Sequence, residues 1–288
     1  MGLHMIVKAC NTIRMLLFST PIFFSLVAQA HEINSELEYM ANEGVLFSHG
    51  ENSVIFDSFY SDSINGTYLL LEKDTQESVL AAKPPYQNIK LAFVSHVHGD
   101  HFSTEPTLEY LRTHSSVRLL APGQVIDALT KAGADDVKRQ LLRVEVSPGE
   151  TPVDVPVKGF KIKVAAVPHI GDKFKDVENL IFRVSIENSP TIAHLGDAAP
   201  ENHWYPFLKD FFLPVDVALV PLWFITMDEG KEIVSEYIYG SHVIGIHLPS
   251  EARGLGKEYR DHYQNDMFTD PGERRAYDSS TGKVVTPE

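Results

Sequence analysis

Residues 95–102 read SHVHGDHF, three histidines and an aspartate in eight positions, directly after the apolar run IKLAFV. Imidazole and carboxylate groups packed together lose hydration and crowd one another unless a cation organises them. Three other strand-like runs stop on the same residue types: KVAAVPH on His169, TIAHLGD on Asp197 and VIGIH on His247. Histidine nitrogens and carboxylate oxygens are the ordinary ligands of zinc and related divalent ions. A lone histidine at a strand end is usually a capped or surface residue. A dense cluster joined by three more strand ends is instead a candidate metal centre, made of His96, His98, Asp100, His101, His169, Asp197 and His247.

The spacing inside HVHGDH suggests how one strand end could serve two ions. His96 and His98 are two apart, so an extended backbone points both rings to one side. Gly99 can turn the chain so that Asp100 and His101 approach from another direction. Two divalent ions about 3.5–4 Å apart lower the pKa of a shared water toward neutrality and polarise an electrophilic oxygen. Hydrolysis is the default reaction of such a site, and Asp100 is the candidate catalytic residue, orienting the nucleophile. His194 and His242 are set aside by strand parity, being three and five positions from Asp197 and His247. His49, His114, His203 and His262 are read as surface or pocket residues.

Strands and helices must hold these ligands. GVLFSHGENSVIFDSF reads as a hairpin with Gly50 in its turn. Strand-like runs follow at KLAFVSH, VRLLAP, GFKIKVAAVPH, NLIFRVSIENSPTIAHLGD, VDVALVP and HVIGIH. Helical patterns lie between them at STEPTLEYLRTH, GQVIDALTKAG and MDEGKEIVSEYI, the last with Thr226 as N-cap. A hairpin-rich first half and strands interleaved with helices predict an α/β or α+β layered domain with helices on the outer faces of sheets. Asn65-Gly66-Thr67 fits a glycosylation acceptor, with a simple turn as the cheaper reading.

The first thirty residues differ from the rest. They carry Lys8 and Arg14, no acidic residue, an apolar stretch from Met15 to Val27, then Ala28-Gln29-Ala30. This predicts a secretory signal peptide over 1–30, cleaved to leave one domain over 31–288 and no stable membrane anchor. The apolar run is short for a bilayer span, which needs about 20 residues. Cleavage removes Cys10, the single cysteine, so the mature chain would have neither disulfide nor thiolate ligand, and His31 would carry the new amino terminus. It also leaves 23 Lys and Arg against 39 Asp and Glu, a formal charge of −16. Such a surface repels polyanions, which argues for a small-molecule substrate and against nucleic acid. The expected location is the periplasm or the secreted fraction.

The ordered set, with HxHxDH standing as His96-Val97-His98-Gly99-Asp100-His101 and followed by His169, Asp197 and His247, resembles the metallo-β-lactamase superfamily. The likeness runs over most of the chain, from the opening hairpin to IGIHLP. It implies a four-layer αββα sandwich with metals in a groove at one edge of two facing sheets. By the same likeness His96, His98 and His169 would hold one ion, Asp100, His101 and His247 the other, and Asp197 would bridge them. Zinc is the expected metal, with manganese or iron as other occupants.

Among the branches, the missing thiolate and the aspartate in HLGD set the chain apart from β-lactamases. They are similar to lactonases, glyoxalase II, phosphodiesterases and the UlaG-like group, which cleave esters, thioesters, lactones or phosphodiesters. An exported binuclear hydrolase is therefore expected. The alternatives are a mononuclear iron enzyme like the sulfur dioxygenases of this superfamily, a β-lactamase, or a non-catalytic binding protein. Trp223 and Phe224 are read evenly as groove or core residues, and Tyr205 as an aid to an oxyanion or a surface residue.

Overall fold

In the computed structural model, Met1, residues 35–238 and residues 241–286 are described. Alternation sets the first strands. Leu37, Tyr39, Val45, Phe47, Val54 and Phe56 face one way into a buried cluster, and Met40, Leu46 and Ile55 face the other way into a second. These residues form the antiparallel strands β1 (Ser35–Ala41), β2 (Gly44–His49) and β3 (Asn52–Phe56). The chain then passes through α1 (Lys73–Leu80), β4 (Ile89–Phe93), α2 (Thr104–Thr113), β5 (Arg118–Pro122), α3 (Gly123–Lys131) and β6 (Leu141–Val144). β3 to β6 run parallel, as strands joined by crossover helices must.

A second sheet follows from β7 (Val153–Asp154), β8 (Phe160–Ala166), β9 (Leu180–Ile186), β10 (Ile192–His194), β11 (Val217–Pro221), β12 (His242–Ile246) and β13 (Asp266–Met267). Its strands are antiparallel from β7 to β10 and parallel from β10 to β13. Helices α4 (Trp223–Thr226), α5 (Asp228–Tyr237) and α6 (Gly256–Tyr263) belong to this half. The chain finally returns to the first sheet with β14 (Arg274–Asp278) beside β1, and β15 (Lys283–Val285) outside it.

The two sheets close face to face on side chains from both. Phe56 stacks on Phe93 at 4.9 Å between ring centres, and Phe93 meets Phe182 of the second sheet at 5.0 Å. Outside the first sheet, Leu108, Leu111, Val125 and Leu129 of α2 and α3 pack on Ala92 and Leu119. Outside the second, Phe224 and Ile233 of α4 and α5 pack on Ala193, Ala218 and Val220. The result is the expected αββα sandwich. Among the described residues no helix is long and apolar enough to cross a membrane. One boundary differs from expectation: Thr226 ends α4, its hydroxyl donating to Leu222 O at 3.2 Å, so it does not cap α5. The predicted signal segment, Cys10 and His31 lie outside the described residues.

A buried ion pair joins β14 of the first sheet to β13 of the second. Arg275 of β14 is buried and donates through Nε and Nη2 to Asp266 of β13 at 2.8 and 2.7 Å, and His242 Nε2 lies 2.9 Å from the same carboxylate. Burial raises the Asp266 pKa, but His242 and Arg275 outweigh it and bring it down to about 2. Its contribution is thus complete above the unfolded value of about 3.9 and fades as pH falls through about 2. Asp266→Asn leaves the buried Arg275 with Glu273 Oε2, at 3.2 Å, as its remaining counter-charge, so we expect a loss approaching about 3 kcal/mol at pH 7 in urea unfolding. The gap to the wild type should narrow as the pH approaches 2, and a variant of wild-type stability would show the pair to be dispensable.

Candidate metal centre

β4 stops at Phe93, and residues 94–101 form a loop. His96 and His98 nevertheless converge, Nε2 of one 3.1 Å from Nδ1 of the other. Gly99 has no left-handed backbone; a side chain there would meet Asp62 Cβ at 3.0 Å, so the glycine makes room for the neighbouring loop. Past the end of β8, His169 Nδ1 donates to Ile170 O at 2.7 Å, which leaves Nε2 facing inward. β10 ends at His194, and Gly196, with φ +51°, turns the chain so that Asp197 enters the cluster. A Cβ on Gly196 would lie 2.6 Å from Asn179 Oδ1 and 2.7 Å from Ser95 Cβ, so only glycine allows this approach. His247 follows β12 directly, also left-handed at φ +57°.

The structure brings all seven candidate residues together. His96, His98, His169 and Asp197 form one group, and Asp100, His101 and His247 another. Asp197 faces both. Its Oδ2 is 3.1 Å from His169 Nε2 and 3.9 Å from His96 Nε2, while its Oδ1 is 3.2 Å from His247 Nε2 and 3.5 Å from His101 Nε2. Asp100 Oδ2 lies 3.5 Å from His101 Nε2 and 3.6 Å from His247 Nε2.

The donor set fits divalent cations. His101 Nε2, His169 Nε2, His247 Nε2 and Asp197 Oδ1 are buried without any hydrogen-bond partner. Unpaired buried polar atoms cost about 1–3 kcal/mol each, and aimed at a common space they make a ligand shell. The charges agree. Burial disfavours the charged form of His247, but the neighbouring carboxylates of Asp197 and Asp100 raise its pKa to about 10. His101 is likewise raised against burial by Asp197, Asp100 and Asp57. Burial would raise Asp197, yet His247 and His101 hold it well below the usual carboxylate range. The carboxylates thus demand positive charge, which bound cations supply while the imidazoles stay neutral. His96, pushed down chiefly by burial, is already held as a neutral ligand.

Several residues missed in the sequence hold this shell in place. Asp57, at the end of β3 with φ +36°, accepts from the Ser95 amide at 2.8 Å and from the Ser95 hydroxyl, and its Oδ2 lies 3.1 Å from His101 Nδ1. That contact turns His101 Nε2 toward the cluster. Asp57 obeys the strand-end rule that found the ligands and could have been recognised by it. Asn179 accepts the Asp197 amide at 3.0 Å and donates to Val167 O and Leu195 O, clamping the ends that deliver His169 and Asp197. Asn42 donates to Asp100 O at 2.9 Å, and its own carbonyl accepts the His247 amide at 3.0 Å.

Aromatic rings wall the site. Tyr68 stands edge-on to His247 at 4.2 Å, Trp223 lies 5.2 Å from the same ring, and Phe174 is 4.7 Å from His98 and 4.8 Å from His169. Trp223 is therefore beside the cluster, its Nε1 donating to Ala198 O at 2.8 Å, whereas Phe224 is core. Tyr205 plays neither expected part. It is fully buried, and its hydroxyl donates to Ala199 O at 3.0 Å. His194 is buried outside the two groups, stacked on Phe56 at 5.0 Å, and His242 pairs with Asp266. His49 bonds Ser35 Oγ, His114 bonds Leu80 O, and His203 and His262 are exposed. Asn65 and Gly66 form an exposed left-handed turn.

A sequence profile described as the beta-lactamase superfamily domain matches residues 55–249, more than half of the chain. The chain belongs to the beta-lactamase superfamily. Solved structures of this superfamily fold include Igni18, a metallo hydrolase of the archaeon Ignicoccus hospitalis. It is 14% identical, with 85% of this chain and 99% of that one aligned at a TM-score of 0.56. The metallo-beta-lactamase fold protein YhfI of Bacillus subtilis is 15% identical over 85% of this chain and 100% of its own, with a TM-score of 0.55. A diphosphatase of the PhnP family is 13% identical over 83% and 96%, with a TM-score of 0.52. These likenesses show the superfamily fold. No curated protein matches in sequence.

Proposed function

We propose that the protein is an exported binuclear metal-dependent hydrolase acting on a small ester-like, lactone, thioester or phosphodiester substrate. The observation that carries this reading is Asp197, whose two oxygens face the two ligand groups separately. His96, His98 and His169 would hold one ion, Asp100, His101 and His247 the other, with Asp197 shared. This arrangement favours two ions over the single iron of a dioxygenase-like site. Zinc fits the nitrogen and oxygen donors best, and manganese or iron share much of that preference. When bound, such ions supply Lewis acidity and lower the pKa of water.

The chain's own residues do the rest. Asp100 is held far below the usual carboxylate range because His101 and His247 outweigh its burial, so it stays ionised and would accept a hydrogen bond from the water, orienting it. Asn42 fixes its orientation through Asp100 O. Tyr68, Trp223 and Phe174 offer apolar walls suited to a small organic group. The charge of −16 after removal of residues 1–30 disfavours long polyanions. The diphosphatase of the same fold supports phosphoester chemistry by analogy. Export rests on the basic, then apolar, then small-residue pattern of the first thirty residues.

The test is a substrate panel with zinc or manganese added. We expect turnover of bis(p-nitrophenyl) phosphate or of a lactone probe, and little or none of a cephalosporin reporter. Efficient cephalosporin hydrolysis, abolished by His98→Ala while the ester and phosphodiester probes stay untouched, would overturn the assignment.

A further inference from the structure

The tight turn between β1 and β2, Asn42-Glu43-Gly44, sits against the second ligand group. Glu43 is fully buried, and neither of its carboxylate oxygens has a hydrogen-bond partner. Burial and the neighbouring Asp197 push its pKa well above the usual carboxylate range, so it carries its charge only where positive charge stands beside it. Oε2 lies 3.8 Å from His101 Nδ1 and 3.8 Å from His194 Nε2. Glu43 also groups with Asp197 and His247, one ligand-type atom of each within 4.8 Å of the others. His247 Nδ1 is itself buried and unpaired, whereas Asp57 serves His101 Nδ1 and Ile170 O serves His169 Nδ1.

The turn is built to hold this position. Asn42, left-handed at φ +51°, bonds both Asp100 and the His247 backbone. A Cβ on Gly44 would lie 2.8 Å from Ser58 Oγ and 2.9 Å from Ala41 O, so glycine lets the turn press against the next strand end. Glu43 completes a balance of charge. Four buried carboxylates, Glu43, Asp57, Asp100 and Asp197, share the cluster, and two divalent ions bring four positive charges. With one divalent ion, two negative charges would remain without an answer in a poorly solvated space.

We infer that Glu43 is a positioning carboxylate of the second cation position, balancing its charge and holding His101 and His247 toward it from behind. The inference rests on the two-ion reading. It adds a residue that reaches the centre from a turn at the far end of the chain from the last ligand.

Glu43→Gln keeps the shape and removes the charge. Zinc titration against a chromophoric chelator should show two ions bound by the wild type. In the variant the second ion should bind at least tenfold more weakly and the first within threefold of wild type. Glu43→Asp, which restores the charge, should recover most of the second affinity, an effect that a merely structural turn residue would not give. Where the glutamine variant fails to fold, Glu43→Leu removes the same charge in a side chain suited to burial. A charge-free variant that binds both ions like the wild type would overturn the role of Glu43. A wild type that binds only one ion would instead overturn the two-ion reading, so the two failures are distinguishable.

Discussion

Asp197→Ala is expected to retain one ion per chain and to lose hydrolysis by a factor of a hundred or more. The carboxylate faces His169 at 3.1 Å through one oxygen and His247 at 3.2 Å through the other, so its removal takes an anionic ligand from both groups at once. His96, His98 and His169 still form a three-imidazole site, enough to hold a single divalent ion. The second group keeps Asp100, His101 and His247 but loses the anion nearest to it. A hundredfold loss corresponds to about 2.7 kcal/mol, the scale on which transition-state charge stabilisation is lost. The fold should tolerate the change, because Asn179 binds the main-chain amide of residue 197 and not its side chain. Metal analysis with steady-state kinetics decides the matter. Two tightly held ions with near-normal turnover would remove Asp197 from the bridging position.

Chelation should act on stability as well as on rate. The ligands come from the ends of strands in both sheets and meet only when the sheets have closed. Binding therefore favours the folded chain by linkage, about 4 kcal/mol for a free metal concentration a thousand times its dissociation constant. For a domain of this size that is a shift in melting temperature of roughly 8–16 °C. With EDTA we expect hydrolysis to vanish and the melting temperature to fall by that order, both recovering when zinc is returned. If neither changed, the cluster would not be a metal centre.

The candidate ligands were legible in the sequence because they stand at strand ends, where His169, Asp197 and His247 each follow an apolar run. Strand parity set aside His194 and His242, yet the chain leaves strand geometry before both Asp197 and His247, through Gly196 and a left-handed His247. What places those histidines elsewhere is packing on Phe56 and pairing with Asp266. Asn42 and Glu43 were illegible for a different reason. An Asn-Glu-Gly stretch reads as a tight turn, and it is one; its charge acquires meaning only from residues more than fifty positions away. Tyr205 shows the converse, a polar-tipped residue near a ligand in sequence whose hydroxyl serves only a buried carbonyl.

The return of β14 to the edge of β1 bears on how the protein gets its metal. The first sheet receives β14 and β15 only after the whole second sheet has been made, and the set of candidate ligands closes at His247, late in the chain. A growing polypeptide thus displays HVHGDH long before the partners that would turn it into a tight site. Proteins of this donor type owe the identity of their ion largely to what the surroundings offer. For this chain the decisive surroundings are those in which the second sheet closes on the first and brings His247 to the other candidate ligands.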